Sequence, residues 1–289
     1  MLWGRCAEVE GLFMDPPPLP REVLTLRGCP RESPLVQAVT DSTEPVRLLG
    51  PERPQPPTQP VHLIGCEPAE PLLAQLCRPL PQKDDPIRLW CLDRHGRAMT
   101  GYRLDLDTVE ARPSVLGGAL IDITITDPGD DRPTLAARPV WEIWSDGVPT
   151  LPNQWAQFDA AGRSEWLDLT RVGPWGPEGL SGGTYHLDGQ HVTDRNGLLL
   201  ALGEALLGPG ANYGTCLDSV MDCLCGGPSV VPPFTLVRHH ADTARHALAG
   251  HILHHLGGVS YFEATVNLLR EKGVTVLLQY GKRRIISPP

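Results

Sequence analysis

The sequence predicts an α/β protein, with a three-stranded parallel sheet flanked by helices over about residues 184–280 and an α/β or α+β region before it at 1–172. A linker is expected at 173–183 and a tail at 281–289. Three observations carry this. Apolar strand-like runs alternate with segments of helical period after Thr184. Breaks rich in proline or glycine interrupt the chain at 51–60 (PERPQPPTQP) and 173–183 (GPWGPEGLSGG), and two early segments repeat each other. With 289 residues, 41% of them apolar, the chain can bury two separate cores.

In the first region, residues 24–39 (LTLRGCPRESPLVQAV) align with residues 61–76 (VHLIGCEPAEPLLAQL), so that Gly28-Cys29 falls on Gly65-Cys66 and Pro34-Leu35 on Pro71-Leu72. Each copy reads as a strand, a glycine turn and a helix opened near a proline. A further apolar run follows at 46–49 or 87–92, so the repeat spans 24–49 and 61–92. Residues 87–170 then show segments such as 102–106 (YRLDL), 120–125 (LIDITI) and 140–144 (VWEIW) between turn sequences, and read mainly as strand. Trp141, Trp144, Trp155, Trp166 and Trp175 fit core packing better than a ligand groove.

From Thr184 onward the order is plain. Tyr185-His186-Leu187 is a strand ending at Asp188-Gly189, Thr193 or Asp194 caps a helix, and residues 198–207 supply its apolar face. After a Gly-Pro-Gly turn, Leu217, Val220, Met221 and Leu224 recur at helical spacing in a second, amphipathic helix. Residues 234–237 form a short strand, 239–255 are largely helical in pattern, 261–272 form another helix, and 274–278 (VTVLL) are the last buried strand. Strands joined by helical crossovers lie parallel.

The formal charge of −9 argues against sequence-independent nucleic-acid binding, which needs clustered cations to displace counterions. That charge belongs to the first 184 residues, because residues 185–289 balance eight acidic against eight basic side chains. Residues 1–14 do not read as a secretory signal and no run approaches 18 apolar residues, so a location in the cytoplasm, with no membrane partner, is expected. Eight scattered cysteines without a C-x-x-C pair read as free, mostly buried thiols.

The second helix, with the turn before it, carries a resemblance. Tyr213, Gly214, Leu217, Asp218, Asp222, Cys223 and Leu224 fit Tyr-Gly-x-x-Leu-Asp-x-x-x-Asp-Cys-Leu, and the surrounding order of elements also resembles that of the barstar family of ribonuclease inhibitors. The resemblance covers residues 184–280. It implies a bacterial protein that is not an enzyme, needs no cofactor, and binds a ribonuclease of the barnase type or a related nuclease. By residue-to-residue carry-over the partner-binding set is Tyr213, Gly214, Asp218, Met221 and Asp222, with Asp222 the central anchor in a cationic cleft. The pattern departs from the family at Asn212, Met221 and Gly227, where aromatic residues are expected, and near Leu268, where an acidic one is.

The residues alone leave other roles open. Asp218 follows Thr215 by three positions and can close a capping box, and Tyr213 can seal the core. His251 and His255 have the i, i+4 spacing that grips zinc from a helix, but no H-E-x-x-H pattern completes it. Cys216, Cys223 or Cys225 with a nearby histidine form no recognisable nucleophilic dyad. The alternative to inhibition is an interaction scaffold that keeps the fold and has lost the inhibitory function.

Overall fold

The computed structural model describes residues 2–12, 24–28, 60–76, 87–104, 109–126, 133, 137–172, 179–226, 230–281 and 285–286. They fall into two compact units, Met1–Leu135 and Ala136–Pro289.

The first unit is built on β1 (Leu2–Cys6), β2 (Glu8–Glu10), β3 (Leu24–Gly28), β4 (Val61–Pro68), β5 (Ile87–Leu92), β6 (Ala98–Leu104), β7 (Val109–Pro113) and β8 (Ile121–Ile125), with helix α1 (Glu70–Leu76) after β4. The strands form one sheet in the order β6-β5-β3-β1-β4-β8-β7, with β2 also on β4, and every described pairing is antiparallel. Cys6, Val9, Leu63, Cys66, Leu89, Cys91 and Ile123 make its core. The second copy of the repeat is thus strand, helix, strand. Of the first copy only β3 is described, and the expected helix and the run at 46–49 lie outside the described residues.

Gly65-Cys66, read from sequence as a turn, lies inside β4. The register shifts between Leu63 and Cys66, Gly65 takes φ +64°, and its amide donates to the Asp122 carboxylate at 2.9 Å. A glycine bulge re-aims the strand and leaves one amide off the ladder, which a buried acid then satisfies. Burial alone would raise the Asp122 pKa, but hydrogen bonds from Ser114, Gly65 and Val115 hold it below the ordinary carboxylate range.

The second unit begins with α2 (Ala137–Ser145) and α3 (Ala160–Leu169). Residues 140–144, read as strand from their alternation, are therefore helical, and the segment 87–170 is strand only as far as β8. Ala137, Val140, Trp141 and Trp144 are spaced i, i+3, i+4 and i+7 and are all buried, so the helical period wins over the local alternation. Pro139 sits in the first turn, where a missing N–H costs nothing. Trp144 meets Trp166 of α3 edge-on at 5.7 Å, and Trp155 in the turn between the helices is fully buried. Trp175 lies outside the described residues.

Then come β9 (Leu180–Ser181), β10 (Thr184–Asp188), α4 (Arg195–Leu207), α5 (Leu217–Leu224), β11 (Val230–Val231), β12 (Thr235–His239), α6 (Ala241–Ala247), β13 (Ile252–Leu253), β14 (Val259–Ser260), α7 (Tyr261–Glu271), β15 (Thr275–Gln279) and β16 (Ile285–Ile286). Strands β10, β12 and β15 are parallel neighbours, as expected, and β16 adds an antiparallel edge. The expected helix at 239–255 shrinks to α6, followed by the small β13–β14 hairpin.

The break at 173–183 does not separate compact units, since α3 packs on α4. Arg163 of α3, a buried residue, donates to the Asp194 carboxylate at 2.8 Å, to Thr193 and to the Ala156 carbonyl. Asp194, rather than Thr193, caps α4, accepting from the Gly197 amide at 2.7 Å.

A candidate binding helix

The local sequence explains why α5 starts where it does. The Tyr213-Gly214 turn needs glycine, because Gly214 has φ +112° and a Cβ there would lie 2.6 Å from the Val220 amide nitrogen. Asn212, 8% exposed, fixes the turn from within. Its Oδ1 accepts from the Gly214 amide at 2.6 Å and its Nδ2 donates to Thr170 Oγ1 at 2.8 Å. Thr170 is the C-terminal cap of α3, so the turn before α5 is tied to that helix.

The cap of α5 is Cys216, not Thr215. Its sulfur accepts from the Ser219 amide at 3.5 Å, while the Cys216 amide donates to Ser219 Oγ at 3.0 Å. Ser219 therefore closes the capping box that the sequence offered to Asp218, and the Asp218 side chain is left to solvent.

The five expected binding residues separate into two groups. Asp218, Met221 and Asp222 are exposed along the outer side of α5, opposite the buried Val220 and Leu224. Tyr213 and Gly214 are buried, and the Tyr213 hydroxyl donates to the Val230 carbonyl at 2.5 Å. The structure therefore places these two expected contact residues inside: Tyr213 is 1% exposed and bonded inward. Cys223 is half-buried and Cys225, at the helix end, is exposed like Cys216, whereas Cys6, Cys66 and Cys91 are buried.

Two features had no sequence signal. Arg238 on the central strand is 1% exposed, with its guanidinium 4.4 Å over the Phe262 ring and no hydrogen-bond partner for its three nitrogens among the described residues. Burial pulls its pKa down to about 10. The second is a pair of rings: His186 Nδ1 and His239 Nε2 lie 2.9 Å apart, and His239 Nδ1 donates to Gln279 Oε1 at 2.5 Å. The pair stitches all three parallel strands across one face of the sheet.

The zinc spacing of His251 and His255 dissolves, because α6 ends at Ala247 and the two residues flank strand β13 instead of sharing a helix face. Among the described residues no group of three or more His, Cys, Asp or Glu side chains is placed to hold a metal ion. Among them, also, no helix is long and apolar enough to cross a membrane.

A three-stranded parallel sheet with helical crossovers and an exposed, capped acidic helix defines a small α/β module. Residues 183–280 match the family model described as Barstar (barnase inhibitor). Neither curated proteins nor solved structures yielded a match.

Proposed function

We propose that the module at 183–280 binds a ribonuclease of the barnase type, or a related nuclease, and occludes its active site one-to-one. Asp222 is the central anchor, Asp218 stands beside it one turn earlier, and Met221 packs against the rim. The observation that carries this reading is the exposure of these three side chains on one side of α5 while its opposite side is buried. Ribonuclease clefts gather cations around phosphate, and a carboxylate entering one receives charge-assisted, often bidentate hydrogen bonds. Two carboxylates at i and i+4 cost a free helix about 0.2–0.5 kcal/mol, which a cationic partner relieves. The reading requires no turnover, cofactor, nucleic acid or membrane, and such a protein protects a cytoplasm from its own nuclease.

Binding without inhibition is the second reading. The smaller exposed set favours it, with Tyr213 and Gly214 inside and half-buried Leu268 where an acidic residue is expected. The full chain titrated into a barnase-type ribonuclease, by activity and by calorimetry at two salt concentrations, separates the two. The expected result is salt-sensitive inhibition that weakens by at least about 2 kcal/mol, roughly 30-fold, in Asp222→Ala. Unchanged inhibition in Asp222→Ala with the fold intact removes the proposed site, and binding without loss of nuclease activity selects the second reading.

A further inference from the structure

We propose that Cys6 and Cys66 are a reversible dithiol–disulfide couple that fastens β1 to β4. The couple lies in the first unit, to which the ribonuclease reading gives no role.

The ladder on either side sets the two residues opposite each other. Before them Gly4 pairs with Pro68 and Arg5 with Glu67; after them Glu8 pairs with Ile64, Val9 with Leu63 and Glu10 with His62. One register runs through both stretches, and it puts Cys6 opposite Cys66, beside the Gly65 bulge. Opposite residues of an antiparallel pair share a face of the sheet and lie about 4.5–5.5 Å apart at Cα, inside the range of about 4.4–6.8 Å that a disulfide spans. Here that face is the core: Cys6 is 1% exposed and Cys66 0%, and both are free thiols.

A third cysteine makes the geometry selective. Cys6 also pairs with Leu24 of β3, and the β3–β5 register, in which Thr25 meets Trp90, sets Leu24 opposite Cys91. Cys91 is therefore in the same cross-strand row and is buried as well, but it stands two strands from Cys6, on the side away from Cys66. Two strand spacings come to about 10 Å, beyond the roughly 7 Å at which a disulfide demands backbone movement. Of the two bonds that Cys6 could make within this row, only the one to Cys66 closes without moving the sheet.

A hydrogen bond with Cys66 and then burial push the Cys6 thiol well above the ordinary range, and the Cys66 thiol donates to the Leu63 carbonyl at 3.6 Å. With little thiolate present and both sulfurs enclosed, exchange waits on local opening of β1, which makes the couple a slow lock. The co-reactant is a low-molecular-weight disulfide. The thiolate of one cysteine attacks it, forming a mixed disulfide and releasing one small thiolate; the other cysteine then attacks the protein sulfur of that bond, closing Cys6–Cys66 and releasing the second. The two cysteine protons end on the two released thiols, and excess thiol reverses the sequence. The bond closes residues 7–65 into a loop, which restricts the unfolded chain.

The test incubates the reduced full chain with oxidised glutathione until the disulfide pattern is constant, once in buffer and once in mild denaturant so that slow opening does not hide the bond. Remaining thiols are then blocked and cross-linked peptides mapped by mass spectrometry. The expected product is a Cys6–Cys66 peptide that disappears on adding dithiothreitol, with Cys91 recovered as the blocked thiol. Its appearance in either run supports the couple. Its absence from both, or a Cys6–Cys91 bond as the main product, overturns it. In the second arm the oxidised chain is melted beside the reduced one. The first unit should unfold at least about 5 °C higher when oxidised, and the same treatment of Cys66→Ala should give no such shift. An unchanged midpoint in the cross-linked chain overturns the fastening role.

Discussion

Helices α4 and α5 are near neighbours in the same module and relate to water in opposite ways. In α4 the residues Leu198, Leu199, Leu200, Ala201, Leu202 and Leu206 are all buried, which takes in most of the helix circumference. One side lies on β10 and another against α3. A helix apolar all round has to be enclosed. In α5 only Val220 and Leu224 of its eight residues are buried, and Asp218, Met221 and Asp222 stay exposed. The contrast separates a helix enclosed by the fold from one whose outer side is left to solvent.

The largest expected effect comes from removing the cover of α4. A chain starting at residue 180 keeps the region matched by the family model and loses α2, α3 and the Trp155 turn, while a chain starting at Ala136 keeps them. The longer chain should melt cooperatively. The shorter should show no cooperative transition by circular dichroism and should bind a hydrophobic dye, because the lost burial rivals the whole stability of about 5–15 kcal/mol. A sharp, reversible melt of the shorter chain at a similar temperature would break the comparison.

Arg163→Met comes next. It leaves the Asp194 carboxylate, which caps α4, without its cation; Arg163 is buried but Asp194 is 26% exposed, so the loss should be somewhat less than the about 3–5 kcal/mol of a fully buried pair. Denaturant unfolding of the full chain measures the loss. Asp218→Ala, on the exposed face of α5, should shift the same curve by no more than about 0.5 kcal/mol. Asn212→Ala should fall between them, at about 1–3 kcal/mol, since it leaves the Gly214 amide and Thr170 Oγ1 without the partners that hold the turn. An Asn212 variant as stable as the parent would mean that the turn holds its own shape.

The parallel sheet and α5 were legible because both announce themselves locally. Apolar runs bounded by turns mark β10, β12 and β15, and Tyr213-Gly214 ahead of a helical apolar period marks α5. The α2 segment misled because Val140-Trp141-Glu142-Ile143-Trp144 satisfies a period of two as well as one of 3.6, and only Ala137 and the position of Pro139 favour the helix. Sequence placed Tyr213 in the binding set because a motif gives order along the chain and says nothing of depth. The roles of Asn212, Arg163 and Ser219 escaped notice because they depend on contacts made across the fold or on which residue begins the helix. The choice of Thr215 over Cys216 as cap shows how far one residue of helix start can redirect the role of Asp218.

An effect smaller than that of Asn212→Ala sharpens the comparison at the one acid that α4 carries. Glu204 is half-buried; one carboxylate oxygen accepts from the Asn153 amide at 2.9 Å, and the other has no hydrogen-bond partner among the described residues. The Trp155 indole N–H bears on the same carboxylate but falls short of hydrogen-bond geometry. Burial raises the Glu204 pKa, helped by the charge of Asp188, and outweighs the donors that lower it. An acid whose pKa is higher folded than unfolded favours the fold while both states are protonated. That contribution is complete below the ordinary glutamate range and is lost as the pH rises through the raised value. Glu204→Gln keeps an acceptor for Asn153 and carries no charge to bury. At pH 7 it should therefore match or exceed the parent in stability, by up to about 1 kcal/mol. The gain should vanish by pH 4 in the same denaturant titration. A variant that is weaker at pH 7 would instead make the charged carboxylate a stabilising partner of the Asn153 amide, and α4 would then depend on its one acid as well as on its leucines.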